Sequence, residues 1–234
     1  MDFPRLDALS AQYESPFATF LAHTDQKRQA ARYLERVAEG LPRRAVLLDA
    51  GAGTGDTTAH LADRFERVIA IEPNAGLRAQ LAGKVPGAEI IDVPILAAEP
   101  DTEADLVFCG HVLYYVDQDL WPAHLEALAS WTAPEGECVV AMQNPNSDCM
   151  VMLREFGGPR FDLSRVADAE THTVPSFVQA PDLETAVEVA AFILGLAPLP
   201  VTRDLVEDYL EQRFRAAGGY LFSCTQDFHH LRRG

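Results

Sequence analysis

Three glycines and one glutamate are the residues of this chain whose spacing is best suited to chemistry. Gly51, Gly53 and Gly55 follow the apolar run "AVLLD" and precede a helical pattern, so they form a turn between a strand and a helix. Such a turn presents backbone N–H groups at the carboxyl edge of a sheet, and glycine lets a ligand touch the main chain because no Cβ intervenes. Glu72 ends the next apolar run about 20 residues on, where an acidic side chain accepts hydrogen bonds from ribose hydroxyls. The pattern therefore predicts a ligand of adenosine type.

The spacing of the glycines narrows the choice of ligand. The pattern is GxGxG, whereas folds that bind dinucleotides use GxGxxG at the pyrophosphate. No lysine of the P-loop type follows the turn, which disfavours a nucleoside triphosphate. A tight turn that binds nothing is the remaining structural explanation.

A histidine follows the fourth apolar run. His111 comes directly after "ADLVFCG", at the sheet edge where the ligand of the glycine turn would also lie. Free imidazole titrates near neutral pH, so His111 is a candidate to accept the proton that a reacting nucleophile loses. A histidine that only hydrogen-bonds the second reactant explains the position equally well. His111 is thus a candidate catalytic residue with two roles left open.

Apolar runs and helical patterns alternate regularly as far as residue 143. The runs are apolar on both faces, which is typical of parallel strands covered by helices on both sides. Asn74 stands where a helix N-cap is expected. The predicted strands are 45–49, 67–73, 88–94, 104–110 and 137–143, and the predicted helices are 55–65, 74–83 and a third that begins near Asp117 or Asp119 and ends before Pro134.

The rhythm changes after residue 143. A loop with a short helix is predicted over 144–158, one strand over 171–180, two helices over 183–195 and 201–218, and one last strand over 219–231. Pro175 would confine the first of these strands to a sheet edge. We therefore expect one domain over 1–234, in which 1–40 form N-terminal lid helices and 146–217 are an elaboration on the substrate side.

Composition limits the class of protein. Of the 234 residues, 48% are hydrophobic, so a full core is expected and disorder is not. Lys and Arg number 19 against 35 Asp and Glu, which gives a net charge of −16. That charge repels phosphate backbones and argues against nucleic acid as a partner, while it modestly favours a cationic small molecule.

Cysteine usage and hydropathy bear on the compartment. None of the four cysteines forms a CxxC pair or has a histidine at metal-ligand spacing, so no metal is expected. Reduced thiols in the cytoplasm are the simplest reading. No basic region followed by an apolar run opens the sequence, and no apolar run is long enough to span a bilayer, so neither a signal peptide nor a membrane partner is expected.

Three motifs in order extend these expectations. "LLDAGAGTGD", "VIAIEPNAGL" and "DLVFCGHVLYYV" resemble the first, second and fourth strand motifs of class I S-adenosylmethionine-dependent methyltransferases, over about residues 40–143. The resemblance implies an α/β fold with one Rossmann-like, doubly wound sheet, mostly parallel with an antiparallel last strand, and helical lid elements. It implies S-adenosylmethionine at the carboxyl ends of the strands, with its amino-acid end near Asp49 and its ribose at Glu72. The implied cofactor-binding residues are Asp49, Gly51, Ala52, Gly53, Glu72, Pro73, Asp92, Val93 and Gly110.

A narrower resemblance suggests the second reactant. "YESPFATFLAHTDQK", "HVLYYVD" and "GGYLFSCTQDF" resemble pieces of the histamine N-methyltransferase family in the same order. The family implies an amine or imidazole nitrogen of a small molecule as methyl acceptor, in a pocket with an aromatic lining. The implied substrate-binding residues are Tyr13, Phe17, Gln26, His111, Tyr114, Tyr115 and Cys224.

Departures from that family matter for the substrate. That family binds histamine through a Glu, a Gln and an Asn. The aligned positions of this sequence carry Gln26, His111 and Cys224. Loss of the Glu removes the anionic partner of an ammonium group, so histamine is not expected to be the substrate. The sequence thus predicts an S-adenosylmethionine-dependent N-methyltransferase of small molecules that releases S-adenosylhomocysteine. An O-methyltransferase with His111 as base, and a non-catalytic S-adenosylmethionine-binding protein, are the alternatives.

Overall fold

The computed structural model describes residue 7, residues 14–167 and residues 169–232. The chain divides into two compact units, and each is discontinuous in sequence. The sheet unit comprises Ala30–Met142, Leu163–Val174 and Asp227–Gly234. The helix-rich unit comprises Met1–Gln29, Gln143–Asp162 and Pro175–Gln226. The predicted organisation as one domain over 1–234 with a 146–217 elaboration stays a prediction.

The described residues form ten strands and eight α-helices, besides short 3-10 turns such as Leu113–Tyr115. The strands are β1 Val46–Ala50, β2 Arg67–Ile71, β3 Glu89–Ile91, β4 Ala104–Gly110, β5 Thr132–Gln143, β6 Glu170–Val174, β7 Phe177–Ala180, β8 Arg215–Ala216, β9 Gly219–Ser223 and β10 Gln226–Leu231. The helices are α1 Glu14–Ala22, α2 Gln26–Gly40, α3 Asp56–Ala62, α4 Ala75–Lys84, α5 Trp121–Ser130, α6 Asp148–Glu155, α7 Leu183–Leu194 and α8 Arg203–Arg213.

The larger sheet has the strand order β3-β2-β1-β4-β5-β10-β6. β1 pairs in parallel with both β2 and β4, and β2–β3 and β4–β5 are parallel too. The order therefore reverses at β1, and in open α/β sheets such a reversal leaves a ligand-binding crevice at the carboxyl ends of the strands. The predicted α/β class with a mostly parallel central sheet is confirmed, and Asn74 caps α4 as predicted by accepting from the N–H groups of Gly76 and Leu77.

The core of the sheet unit includes part of the predicted lid. Ala30, Leu34 and Ala38 on one face of α2 pack with Leu47 of β1 and Phe228 of β10. These spacings of four place the apolar residues on one face of the helix, and the sheet is what that face covers. The lid predicted over 1–40 is therefore core from Ala30 onwards, and a lid role for the preceding part stays a prediction.

Two strands predicted as continuous are each broken. Residues 171–180 form β6 at the edge of the larger sheet and β7 in a second sheet of order β7-β9-β8. The break falls at Pro175, which has no N–H for a ladder, so proline ends the strand rather than merely confining it to an edge. Residues 219–231 likewise divide into β9 and β10, one in each sheet, with Cys224 and Thr225 between them.

The helix-rich unit is organised around α7. The pattern "LETAVEVAAFIL" predicts a buried helix, and seven of its residues are buried, including Phe192 and Ile193. Asp182 caps its first turn by accepting from the N–H of Thr185. Phe20 of α1 stacks on Phe192 with ring centroids 5.0 Å apart. The capped start and the apolar run together explain why this helix forms the centre of the unit.

A buried carboxylate ties the start of β1 to β4, and its removal should destabilise the protein. Oδ2 of Asp105 accepts from the N–H groups of Ala45 at 2.6 Å and Val46 at 2.9 Å, and the residue is 7% exposed. Asp105→Ala should lower the free energy of unfolding by about 1.5–3 kcal/mol, because buried donors lose a charged acceptor. Urea denaturation measures this.

Asp101→Ala is the matched control for that measurement. Asp101 also accepts from a donor of the sheet unit, Arg67, but its side chain is 70% exposed. An exposed ion pair contributes about 0–1 kcal/mol. Equal shifts for Asp105→Ala and Asp101→Ala would contradict the role given to Asp105.

Within the described ranges, no helix is long and apolar enough to cross a membrane.

Candidate functional site at the carboxyl edge of the sheet

The glycine turn after β1 is held by the protein's own acceptors. Gly51, Gly53 and Gly55 have φ values of 87°, 59° and 79°, a left-handed region that side chains rarely adopt. The N–H groups of Gly51 and Ala52 both donate to the carbonyl of Ile71 at the end of β2. The N–H of Gly53 donates to Oε2 of Glu72 at 2.7 Å. The expectation that these N–H groups are left for a ligand is therefore wrong, and the glycines serve the turn and the close approach instead.

Space around the glycines distinguishes their roles. A Cβ added at Gly51 would overlap Cγ2 of Val112, and one added at Gly55 would lie 2.7 Å from Cδ1 of Leu81. A Cβ added at Gly53 would meet no atom of the described residues within 4 Å. Gly51 and Gly55 are thus glycines for internal packing, whereas Gly53 faces open space. Gly53 is the position at which a ligand can approach the main chain.

Two buried carboxylates flank this turn. Glu72 is 6% exposed, and its other oxygen, Oε1, accepts from the N–H of Asn74 at 2.8 Å. Asp49, at 2% exposure, accepts from the hydroxyl of Thr58 at 2.6 Å. These bonds fix the orientation of both carboxylates. Buried carboxylate acceptors suit a ligand that is cationic and carries hydroxyl groups.

The other predicted cofactor residues lie at the same strand ends. Pro73 follows Glu72 after β2, and its carbonyl accepts from Nη1 of Arg78. Asp92 is exposed and Val93 half-buried in the loop after β3. Gly110 ends β4, and a Cβ there would lie 2.6 Å from the ring of Phe108. These positions agree with a ligand along the carboxyl edge, and their contact with it stays a prediction.

His111 has an unusual backbone. Its φ is 61°, and it is the non-glycine residue with positive φ in the part of the chain that the structure describes. Its N–H donates to the carbonyl of Ala141 in β5 at 2.8 Å. A left-handed conformation costs an L-residue about 1–2 kcal/mol, and such strain clusters at functional sites. The strain supports a functional role for this histidine.

The turn that follows His111 is anchored from two sides. Val112 fills the space beside Gly51, so the histidine turn and the glycine turn touch. Nε1 of Trp121, which is 1% exposed, donates to the carbonyl of Leu113 at 3.0 Å and to that of Val116 at 3.3 Å. These contacts fix the 3-10 turn between them. Sequence reasoning missed the contacts that Val112 and Trp121 make with these turns, because nothing local marks a valine or a tryptophan as part of a site.

The two tyrosines predicted to line the acceptor pocket differ in their burial and in their contact with His111. Tyr114 is 6% exposed, and its hydroxyl lies 3.4 Å from Nδ1 of His111. The two rings are stacked, with centroids 6.0 Å apart. Tyr115 is half-buried and lies edge-on to Tyr114. Tyr114 therefore contacts the histidine, whereas a part in the wall around a substrate stays a prediction for both.

The remaining predicted substrate residues belong to the helix-rich unit. Tyr13 lies outside the described residues. Phe17 is half-buried, with its ring centroid 5.7 Å from that of Phe192. Gln26 and Cys224 come together as predicted, since Nε2 of Gln26 donates to the carbonyl of Cys224 at 3.4 Å. That these residues and the His111 turn line a common cavity stays a prediction.

Cys224 offers no charge to a substrate. It is fully buried, and its sulfur lies 3.1 Å from the hydroxyl of Thr24 and 3.6 Å from that of Ser176. Burial raises the pKa of the Cys224 thiol to about 11, against the lowering effect of these two hydroxyls. Burial likewise raises the pKa of Cys138 to about 12 and that of Cys109 well above its ordinary value. These thiols remain protonated at neutral pH.

Among the residues that the structure describes, no group of three potential ligands is arranged to hold a metal ion.

Comparisons with known proteins agree with this geometry. A family model described as "Methyltransferase domain" matches residues 21–192. A trans-aconitate 2-methyltransferase of Rhodopseudomonas palustris is 29% identical over 140 residues, which cover 58% of this chain and 53% of that protein. An uncharacterized methyltransferase of Exiguobacterium sibiricum is 26% identical over 125 residues, which cover 53% and 58%. The chain thus spans little more than half the length of these relatives.

Solved structures share the fold. A putative methyltransferase of Bacillus halodurans has a TM-score of 0.61 at 13% identity, over 87% of this chain and 98% of that one. The N-methyltransferase NodS of Bradyrhizobium japonicum, in complex with S-adenosylhomocysteine, has a TM-score of 0.54 at 16% identity, over 87% and 86%. The Rossmann-like fold predicted from the sequence is confirmed. The narrower resemblance to the histamine N-methyltransferase family finds no support in these comparisons.

Proposed function

The chain belongs to the methyltransferase-domain family, and from that premise we propose that it transfers a methyl group from S-adenosylmethionine to a small-molecule acceptor. S-adenosylmethionine as cofactor is what the sequence predicts and what the family and NodS with its bound S-adenosylhomocysteine support. The observation that carries the proposal for this chain is the strained His111 beside the glycine turn, at the sheet edge where the strand order reverses.

The residues at the glycine turn fit this cofactor. We assign close approach to the main chain at Gly53, the ribose hydroxyls to Glu72, and the amino-acid end to the neighbourhood of Asp49. Bound S-adenosylmethionine supplies a methyl group already activated by a sulfonium cation. Two buried carboxylates at the same edge favour that positive charge electrostatically. The protein's task is then mainly to hold the two reactants in line, which is a large part of the rate enhancement of such reactions.

A nitrogen acceptor is the favoured second substrate. An amine or imidazole nitrogen becomes a better nucleophile once it has lost its proton, and the imidazole of His111 can take that proton. The net charge of −16 favours a cationic small molecule over an anionic one. The alternative is an oxygen acceptor, with His111 as base. The relative named for trans-aconitate favours oxygen as the acceptor atom, although an ionised carboxylate has no proton for His111 to take and an acidic protein repels a polycarboxylate.

An assay of S-adenosylhomocysteine release tests the proposal. The panel contains small amines, imidazoles, amino acids, phenols and carboxylic acids, and product analysis shows whether nitrogen or oxygen carries the methyl group. Histamine should be a poor substrate, because Gln26 is a neutral amide already donating to a backbone carbonyl. A hydrogen bond to a charged partner contributes about 1.5–3 kcal/mol against about 1 for a neutral one. Efficient methylation of histamine would contradict the role given to Gln26 in the acceptor pocket, and methylation of an acidic acceptor on oxygen would contradict the proposed nitrogen acceptor.

The role given to Glu72 yields a separate prediction. Glu72→Gln and Glu72→Ala should both weaken the binding of S-adenosylmethionine, by about 1–3 kcal/mol for the alanine variant, because the ribose hydroxyls lose a charged acceptor. Isothermal titration calorimetry measures the affinity. Asp56→Ala is the control, since Asp56 is an exposed carboxylate near the same turn that pairs with Lys84. Unchanged affinity in Glu72→Ala would contradict the assignment.

A further inference from the structure

His111 presents two ring nitrogens, and the structure distinguishes them. Nδ1 lies 3.4 Å from the hydroxyl of Tyr114. Neutral imidazole carries one proton, so the nitrogen that binds this hydroxyl determines what the other can do. If Nδ1 holds the proton and donates to the tyrosine oxygen, Nε2 is left as the basic atom. If the tyrosine donates instead, Nε2 holds the proton and cannot act as a base.

Tyr114 is well placed to fix this choice. Its ring is buried and stacked on the imidazole at an interplanar angle of 19°, so the hydroxyl cannot swing freely away from Nδ1. Trp121 holds the backbone on both sides of the tyrosine through its bonds to Leu113 and Val116. The backbone of His111 is itself fixed by its bond to Ala141. Every part of the pair is therefore held by the same unit of the protein.

We propose that Tyr114 is a positioning residue that accepts the Nδ1–H of His111 and thereby leaves Nε2 as the atom that serves the methyl acceptor. The inference rests on the proposed function in one respect, since a base role for His111 requires the Nδ1–H tautomer. It also moves Tyr114 from the wall of the acceptor pocket to the support of the histidine. A second-layer partner that fixes the tautomer of a working histidine has the same physical purpose in metal and triad sites.

Nuclear magnetic resonance reads the tautomer directly and without any substrate. The protein is labelled with ¹⁵N in the imidazole rings of its seven histidines. The spectrum is recorded at a pH where the rings are neutral, and loss of one ring's pair of ¹⁵N signals in His111→Asn identifies His111. The wild type should show a protonated Nδ1 and an unprotonated Nε2. Tyr114→Phe keeps the ring but removes the hydroxyl, so the His111 signal should move toward the Nε2–H tautomer.

The chain offers a matched control. Tyr33 and His230 form a second tyrosine–histidine pair in the sheet unit, with the hydroxyl 2.7 Å from Nε2. Tyr33→Phe should change the signal of His230 and leave that of His111 as in the wild type. With the true acceptor, Tyr114→Phe should lower turnover about tenfold, the scale of one lost hydrogen bond, while the KM for S-adenosylmethionine stays unchanged.

The outcomes separate the inference from the function. An Nε2–H tautomer of His111 in the wild type would overturn the inference, and so would an unchanged tautomer in folded Tyr114→Phe. The wild-type spectrum is a test even if that variant fails to fold. Failure of the proposed function would appear differently, as no release of S-adenosylhomocysteine from the wild type with any acceptor.

Discussion

Gly53→Ala is expected to lower the affinity for S-adenosylmethionine about 10–100-fold with little change in folding. The added Cβ meets nothing within the described protein, so it would occupy the space at which the cofactor approaches the main chain. Overfilling a close contact costs about 1–3 kcal/mol, and each 1.4 kcal/mol is a factor of ten in affinity. Stability should fall by only about 1–2 kcal/mol, the cost of a left-handed alanine at a φ of 59°. Calorimetry gives the affinity and urea denaturation the stability.

Two glycines serve as controls for that experiment. Gly157 has a φ of 88° and likewise no neighbour within 4 Å of an added Cβ, but it is not among the residues assigned to the cofactor. Gly157→Ala should therefore lose similar stability and no affinity. Gly51→Ala should lose more stability than Gly53→Ala. Its Cβ would overlap Val112, which adds about 1–3 kcal/mol of overpacking to the cost of the left-handed backbone. Wild-type affinity in Gly53→Ala would contradict the placement of the cofactor.

Replacing His111 should cause the largest loss of turnover. His111→Ala should lower the turnover number about 10²–10⁴-fold if the imidazole is the general base. The wild type should lose activity as the pH falls and the imidazole becomes protonated, because a protonated ring cannot accept a proton. His111→Ala should lack that dependence. Steady-state rates of both proteins across pH, with the acceptor found in the panel, measure the two effects.

A second variant separates chemistry from folding. His111→Gly removes the same imidazole but tolerates the φ of 61°, so it should be about 1 kcal/mol more stable than His111→Ala and equally inactive. A loss much smaller than 10²-fold in both would mean that His111 positions the acceptor without taking its proton. Full activity of His111→Ala at every pH would contradict any role in the reaction.

Local sequence features were enough to predict a ligand site at the carboxyl ends of the strands. Glycines that need positive φ, a strand-end glutamate and the N-cap Asn74 each act through their own backbone or their immediate neighbours. Apolar runs bury both faces of a strand only in a covered parallel sheet, so the α/β class also follows from the sequence. These features are enough to predict the sheet, the order of its elements along the chain and the position of the glycine turn.

Contacts between distant residues decided the rest. The N–H groups of the glycine turn bind Ile71 and Glu72 of the next strand end, and no local pattern shows that these acceptors meet them. The left-handed backbone of His111 depends on Ala141 in another strand, and the contact between Tyr114 and His111 depends on a turn that Trp121 holds. Likewise, "THTVPSFVQA" reads as one strand, and only the pairing partners divide it between two sheets. The sequence by itself determined the fold class and a ligand of adenosine type, because backbone requirements and burial patterns are local, and S-adenosylmethionine followed from the resemblance to a methyltransferase family. Tertiary structure decided which backbone groups of the glycine turn are bound within the protein and which nitrogen of His111 lies beside Tyr114. Both depend on where distant segments of the chain come together.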